Sequence, residues 1–378
     1  MRCGCFETWS GSPAWPFPAS ALGRGVDRRQ VLTAMLSALS LAAAGCGAVV
    51  LKSHREAAEE IARDSVSVDL HSHAGMFRSS PLSMDSQLER IARGKLRVTF
   101  FTSVGDGPLI GRRPNGGLYA TREPRPNELY RSTYAQLDPV RARIASGKLL
   151  LIGQVSDLES ARTAQSPGAL LAVEGGDFLE GRIDRVAEAR AQGIRSIQLV
   201  HYRVNELGDI QTEPPRHGGL TPFGKDVIRE MNRLGMVVDL AHLTYPGVQA
   251  AVEVGRKPMI LSHTVLDTGW ARSVSAEHAR LVASRGGVIG IFPVNSGYQG
   301  FTGYIEHIVR MIRAVGVDHV GIGTDMDGIT PASFVSYEDY AEWPSIAATL
   351  IARGYSREDV AKVMGGNFLR VYREVATV

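Results

Sequence analysis

From residue 55 onward the chain alternates two hydrophobic patterns. Short, nearly unbroken apolar runs occupy 66–71, 96–102, 170–174, 196–201, 236–242, 259–263, 288–292 and 319–325. Continuous apolar runs of this length suit parallel strands buried on both faces. Between them lie longer amphipathic stretches with helical spacing. One opens at Thr221-Pro222, a hydroxyl N-cap followed by proline in the first turn, and stops at Leu234-Gly235. Another runs over 275–285 and stops at Gly286-Gly287. Eight strands in alternation with helices predict a closed (β/α)₈ barrel of the α/β class, as one domain over 47–378. A doubly wound open sheet is the competing architecture. It is disfavoured because no glycine-rich phosphate loop follows the first run. The short run 149–155 falls outside the eight, and the Pro-, Gly- and Arg-rich segment 105–130 reads as a loop over the barrel mouth. No internal repeat and no second folded domain are apparent.

The first 46 residues have a different character. The pair Arg28-Arg29 precedes an apolar run from Val31 to Ala44 that is too short to span a bilayer comfortably. This reads as an export signal of twin-arginine type. Ala43-Ala44-Gly45-Cys46 resembles a bacterial lipoprotein box, which would leave Cys46 lipidated; an ordinary cleaved signal is the alternative. The expected location is therefore periplasmic, either free or lipid-anchored to the membrane, in a bacterium. Residues 1–25 show neither periodicity and read as material upstream of the true start, for which Val26 is a candidate.

With 378 residues and 44% hydrophobic content, the chain can bury one large core. Its 42 basic and 39 acidic residues give a net charge of +3, with no long run of one sign, so a nucleic-acid surface is not indicated. Cys3, Cys5 and Cys46 are the only cysteines, so the body has neither disulfide nor thiolate metal site.

The chemistry lies where the strands end. His71 and His73 follow the first run, and Glu174 ends the third. His201, His242, His263 and Asp325 end the fourth, fifth, sixth and eighth. Barrel active sites occupy that face. One histidine at a strand end is more often structural than functional. Many titratable groups buried together need compensating partners, and a metal cluster supplies them. His71 and His73 are two apart, so on a strand they share a side. Imidazole with carboxylate suits zinc and similar cations. Glu174 could bridge two metals, with His242 and His263 on the second. Two such metals activate water to hydroxide near neutral pH, predicting metal-assisted hydrolysis.

Seven ordered blocks then carry a resemblance. They are Leu171-Ala-Val-Glu174-Gly-Gly, Gly219-Leu-Thr-Pro-Phe-Gly224, the segment from Met231 to His242, Ser262-His263-Thr264, Gly286-Gly-Val-Ile-Gly290, the segment from Asp318 to Gly328, and Gly365-Gly-Asn-Phe-Leu369. Together they resemble the membrane (renal-type) dipeptidases, peptidase family M19 of the amidohydrolase superfamily, over roughly residues 60–375. The resemblance implies a zinc-dependent dipeptidase acting on small dipeptides, including those with a C-terminal D-residue. Two zinc ions would be held by His71, His73, Glu174, His242 and His263. The resemblance casts His201 as a non-ligand contact to substrate and tetrahedral intermediate, and Arg272 as the grip on the substrate carboxylate. Asp325 would shuttle a proton, a role less suited to Asp327. It also implies a homodimer. Other metal hydrolases of the superfamily, acting on N-acyl amino acids, lactams or esters, are the nearest alternative; a metal-free envelope binding protein is a more distant one. For Arg272 the alternative is a surface or salt-bridged arginine.

One position departs from the family. His-x-Asp is usual after strand one, and here it is His71-Ser72-His73. The wider superfamily uses His-x-His, so metal binding is still expected. Losing a carboxylate makes the cluster one unit more positive. That favours either stronger Lewis acidity and tighter holding of anionic substrates, or weaker retention of the first metal.

Overall fold

Eight parallel strands close on themselves in the computed structural model of the chain. They are β1 (Val68–Ser72), β2 (Val98–Val104), β3 (Gly168–Glu174), β4 (Ile194–Gln198), β5 (Val237–Asp239), β6 (Ile260–Thr264), β7 (Val288–Ile291) and β8 (Val320–Ile322). The order is β2-β1-β8-β7-β6-β5-β4-β3, and β3 pairs back to β2 from Val98↔Gly168 to Val104↔Glu174, which shuts the barrel. The structure describes residues 54–329 and 335–377, all within one compact unit. The extension 1–46, with Arg28-Arg29 and Cys46, lies outside the described residues. No described helix is long and apolar enough to cross a membrane.

The sequence pattern explains the closure. Val68, Val98, Leu170, Val237, Ile260 and Val288, from six different strands, meet in one buried cluster with Phe368, Val371 and Tyr372 of the last helix (Asn367–Ala376). Side chains from opposite walls can meet only in the barrel interior, so this helix packs at the end opposite Glu174. A second, larger cluster joins the other strand positions, such as Phe101, Leu171, Ile197 and Leu261, to the surrounding helices. The helix Pro222–Arg233 starts as expected, with Thr221 Oγ1 accepting from the Gly224 amide.

Three details differ from the pattern. The strands β4, β5 and β8 stop at Gln198, Asp239 and Ile322, before the polar residues that were expected to end them. His242 and Asp325 adopt left-handed backbone, with φ of 67° and 50°. That turn carries both side chains off the strand ends.

 The segment 105–130 is not a plain loop: it holds an antiparallel hairpin, Ile110–Arg112 against Leu118–Ala120, and the start of the helix Glu128–Ala145. The run 149–155 lies outside the eight as expected, and contributes a two-residue strand, Leu150–Leu151, beside the start of β3.

Candidate metal centre at the barrel mouth

Glu174, at the end of β3, is the hub of the site. Its carboxylate is buried, and five histidines approach it. His71 and His242 Nε2 lie 3.4 and 3.2 Å from Oε1, and His263 Nε2 lies 3.5 Å from the same oxygen. His73 and His201 Nε2 lie 3.3 and 3.4 Å from Oε2. Two groups could each hold a metal ion, His71 with His73 and Glu174, and His242 with His263 and Glu174. Both groups include Glu174, so its carboxylate could serve two ions.

The donor set fits cations. His71 Nε2 is buried and makes no hydrogen bond, although Glu174 is within reach. His242 and His263 present their Nε2 atoms to each other at 3.2 Å. Burial, with the Arg272 charge nearby, holds both imidazoles well below their ordinary pKa, so each offers a neutral ring lone pair. Glu174 stays ionised: burial opposes its charge, but His201 and His71 more than offset this and hold it well below the usual range. Supporting contacts fix the rings. His73 Nδ1 meets the Thr102 carbonyl at 2.6 Å, and Ser262 Oγ stands 3.2 and 3.0 Å from Nδ1 of His71 and His263. Burial disfavours a charge on His73, but bonds to Asp325 and Glu174 dominate and push it up to about 10.

The other expected residues surround this core. Asp325 Oδ1 is 3.3 Å from His73 Nε2 and 3.8 Å from His71 Nε2. Asp327 instead accepts from the Gly75 amide at 2.7 Å and so ties two loops together. Arg272 is not a surface residue. Its buried guanidinium reaches Gln211 Oε1 at 2.6 Å and His263 Nε2 at 3.0 Å. Asp325, Asp327 and Arg272 line, with His73, Glu174, His201, His242 and His263, a cavity of about 990 Å³ that also includes Arg112, Asn115 and Leu118 of the hairpin in its wall.

Sequence reasoning missed Asp106. It follows β2, is fully buried, and places Oδ1 2.7 Å from His201 Nδ1 and Oδ2 3.0 Å from the Tyr202 amide. Burial lowers the His201 pKa, but Asp106 and Glu174 outweigh it and raise it above the ordinary value. The signal that could have found it is a carboxylate just beyond the end of β2. Gln211 had no such signal, because it lies in the long connection between β4 and β5.

Residues 55–378 match the model of the membrane dipeptidase family, peptidase family M19. The chain belongs to this family. It is 32% identical over 263 residues to dipeptidase tcpJ of Claviceps purpurea, covering 66% of this chain and 61% of that one. It is 30% identical over 306 residues to dipeptidase aclJ of Aspergillus oryzae, covering 76% and 69%. Its fold matches a metallo peptidase from Rhodobacter sphaeroides liganded with a phosphinate mimic of the dipeptide L-Ala-D-Ala. That match has a TM-score of 0.70 at 18% identity and covers 82% of this chain and all of the other.

Proposed function

We propose that this chain is a zinc-dependent dipeptidase that hydrolyses small dipeptides with a free C-terminal carboxylate, D-residues at that position included. The observation that carries the reading is the pair of metal-binding groups joined at Glu174, with the buried guanidinium of Arg272 beside them. A guanidinium whose close partners are neutral is suited to an incoming carboxylate. Bound divalent metals would supply Lewis acidity and acidified water. Arg272 binds the carboxylate and sets the register of the substrate. His201, held by Asp106 and Glu174 as the doubly protonated imidazolium, donates from Nε2 to the oxygen on which charge develops. Asp325 carries a proton between water and the leaving amine at its carboxylate oxygen. The D-residue preference draws on the ligand of the Rhodobacter relative, and the export signal suggests a periplasmic supply of peptidoglycan-derived peptides. A homodimer and a lipid anchor at Cys46 belong to the same proposal.

The test is a hydrolysis panel of L,L- and L,D-dipeptides with zinc-loaded protein, run beside N-acyl amino acids and lactams. Turnover of dipeptides supports the reading. Turnover confined to the acylated or cyclic compounds overturns it.

A further inference from the structure

The geometry points to Asp106 as the positioning residue of His201, fixing its ring through Nδ1 so that Nε2 faces the reaction site. This rests on the role proposed for His201. A carboxylate only accepts, so at 2.7 Å the proton of that bond sits on His201 Nδ1. The second oxygen takes the amide of Tyr202, so one side chain holds both the ring and the backbone beside it. Asp106 is not spent on its own turn. It precedes the short helix Gly107–Leu109 at the N-cap position, yet its side chain makes no cap bond there. It reaches instead across 95 residues. The backbone is built for this approach: the Gly105 amide donates to the Glu174 carbonyl at 2.7 Å. A Cβ on Gly105 would stand 2.0 Å from the Gly175 carbonyl oxygen, so a side chain there would push β2 and β3 apart. On the far side the His201 ring meets the His242 ring edge-on at 4.7 Å. With Nδ1 occupied, only Nε2 is left to meet substrate, and it lies 3.4 Å from Glu174 Oε2. A histidine deprived of such a partner can take the other tautomer or rotate.

Two measurements test this. In metal-free protein with ring-¹⁵N histidine, NMR is expected to show His201 protonated at Nδ1 with a downfield proton, assigned by its absence in His201→Gln and lost in Asp106→Ala. In zinc-loaded protein, Asp106→Asn, which keeps the shape, is expected to lower kcat by about 10–100-fold with KM and metal content little changed. Asp106→Glu restores part of the loss, and Asp106→Asn has no further effect in the His201→Gln background. Survival of the downfield signal in Asp106→Ala, or independent losses that multiply in the double variant, overturns the assignment. If the wild-type protein cleaves no dipeptide, the proposed function fails, while the NMR arm still decides whether Asp106 holds His201.

Discussion

Removing one hydroxyl, in Tyr340→Phe, tests how the barrel holds the strand ends that carry its site. Asp69 on β1 is fully buried. Its carboxylate accepts from the Thr324 amide at 2.8 Å, and from Thr324 Oγ1 and the Tyr340 hydroxyl at 2.6 Å each. The His71 amide adds a longer contact at 3.3 Å. The network thus joins the residue before Asp325 to the backbone of His71. Burial raises the Asp69 pKa to about 6, and the hydroxyl and amide bonds keep it from going higher. Loss of a hydrogen bond to a buried ionised group costs about 1.5–3 kcal/mol, against roughly 0.5–1.5 kcal/mol for a neutral one. The pH dependence has a definite sign. The folded pKa lies above the unfolded value, so folded protein holds the extra proton and stability declines as pH rises from about 4 to 6. In Tyr340→Phe the carboxyl pKa rises further, and the decline extends to higher pH. Urea unfolding of metal-free protein is therefore expected to show a larger deficit for the variant at pH 8 than at pH 5. An equal deficit at both pH values would refute the reasoning.

Other perturbations give separate checks. Arg272→Ala is expected to lower kcat/KM for a free dipeptide by about 2–3 kcal/mol, roughly 30–150-fold, and to leave a C-terminally amidated dipeptide unaffected; equal losses on both would remove the carboxylate role. His73→Asp is expected to hold zinc more tightly against a chelator and to raise KM for anionic dipeptides roughly five- to tenfold, because it adds a carboxylate beside Glu174 and Asp325. No change in metal content or rate would sink the argument from charge. Burial lowers the His278 pKa to about 4. Stability from its neutral form is present above about 6.5 and lost as pH falls toward 4, by at most about 3 kcal/mol. His278→Leu should flatten the unfolding free energy across that window, and an unchanged slope would contradict it.

The barrel was legible because its strands are apolar on both faces, and the period of strand and helix repeats eight times. The polar residues at the strand ends were legible for the same reason: each interrupts an apolar run where the barrel opens. Strand ends were less so. His242 and Asp325 stand at the end of an apolar run in sequence, yet positive φ turns them off the strand, and a run of side chains does not record the sign of a dihedral. The hairpin at 110–120 was hidden because its residues are partly or fully exposed and follow no alternation strong enough to read. Asp106 shows the limit best. Its partner lies 95 residues away, and only the pairing of β3 with β2 on one side and β4 on the other brings their ends together around Glu174.

On the proposed function, dipeptide turnover depends on two metals joined by Glu174. Metal analysis of zinc-loaded wild type and Glu174→Gln, paired with hydrolysis of L-Ala-D-Ala, tests it most directly. Two zinc ions per wild-type chain are expected, fewer in the variant, with its turnover reduced to background. Full metal content with undiminished hydrolysis in Glu174→Gln would contradict it.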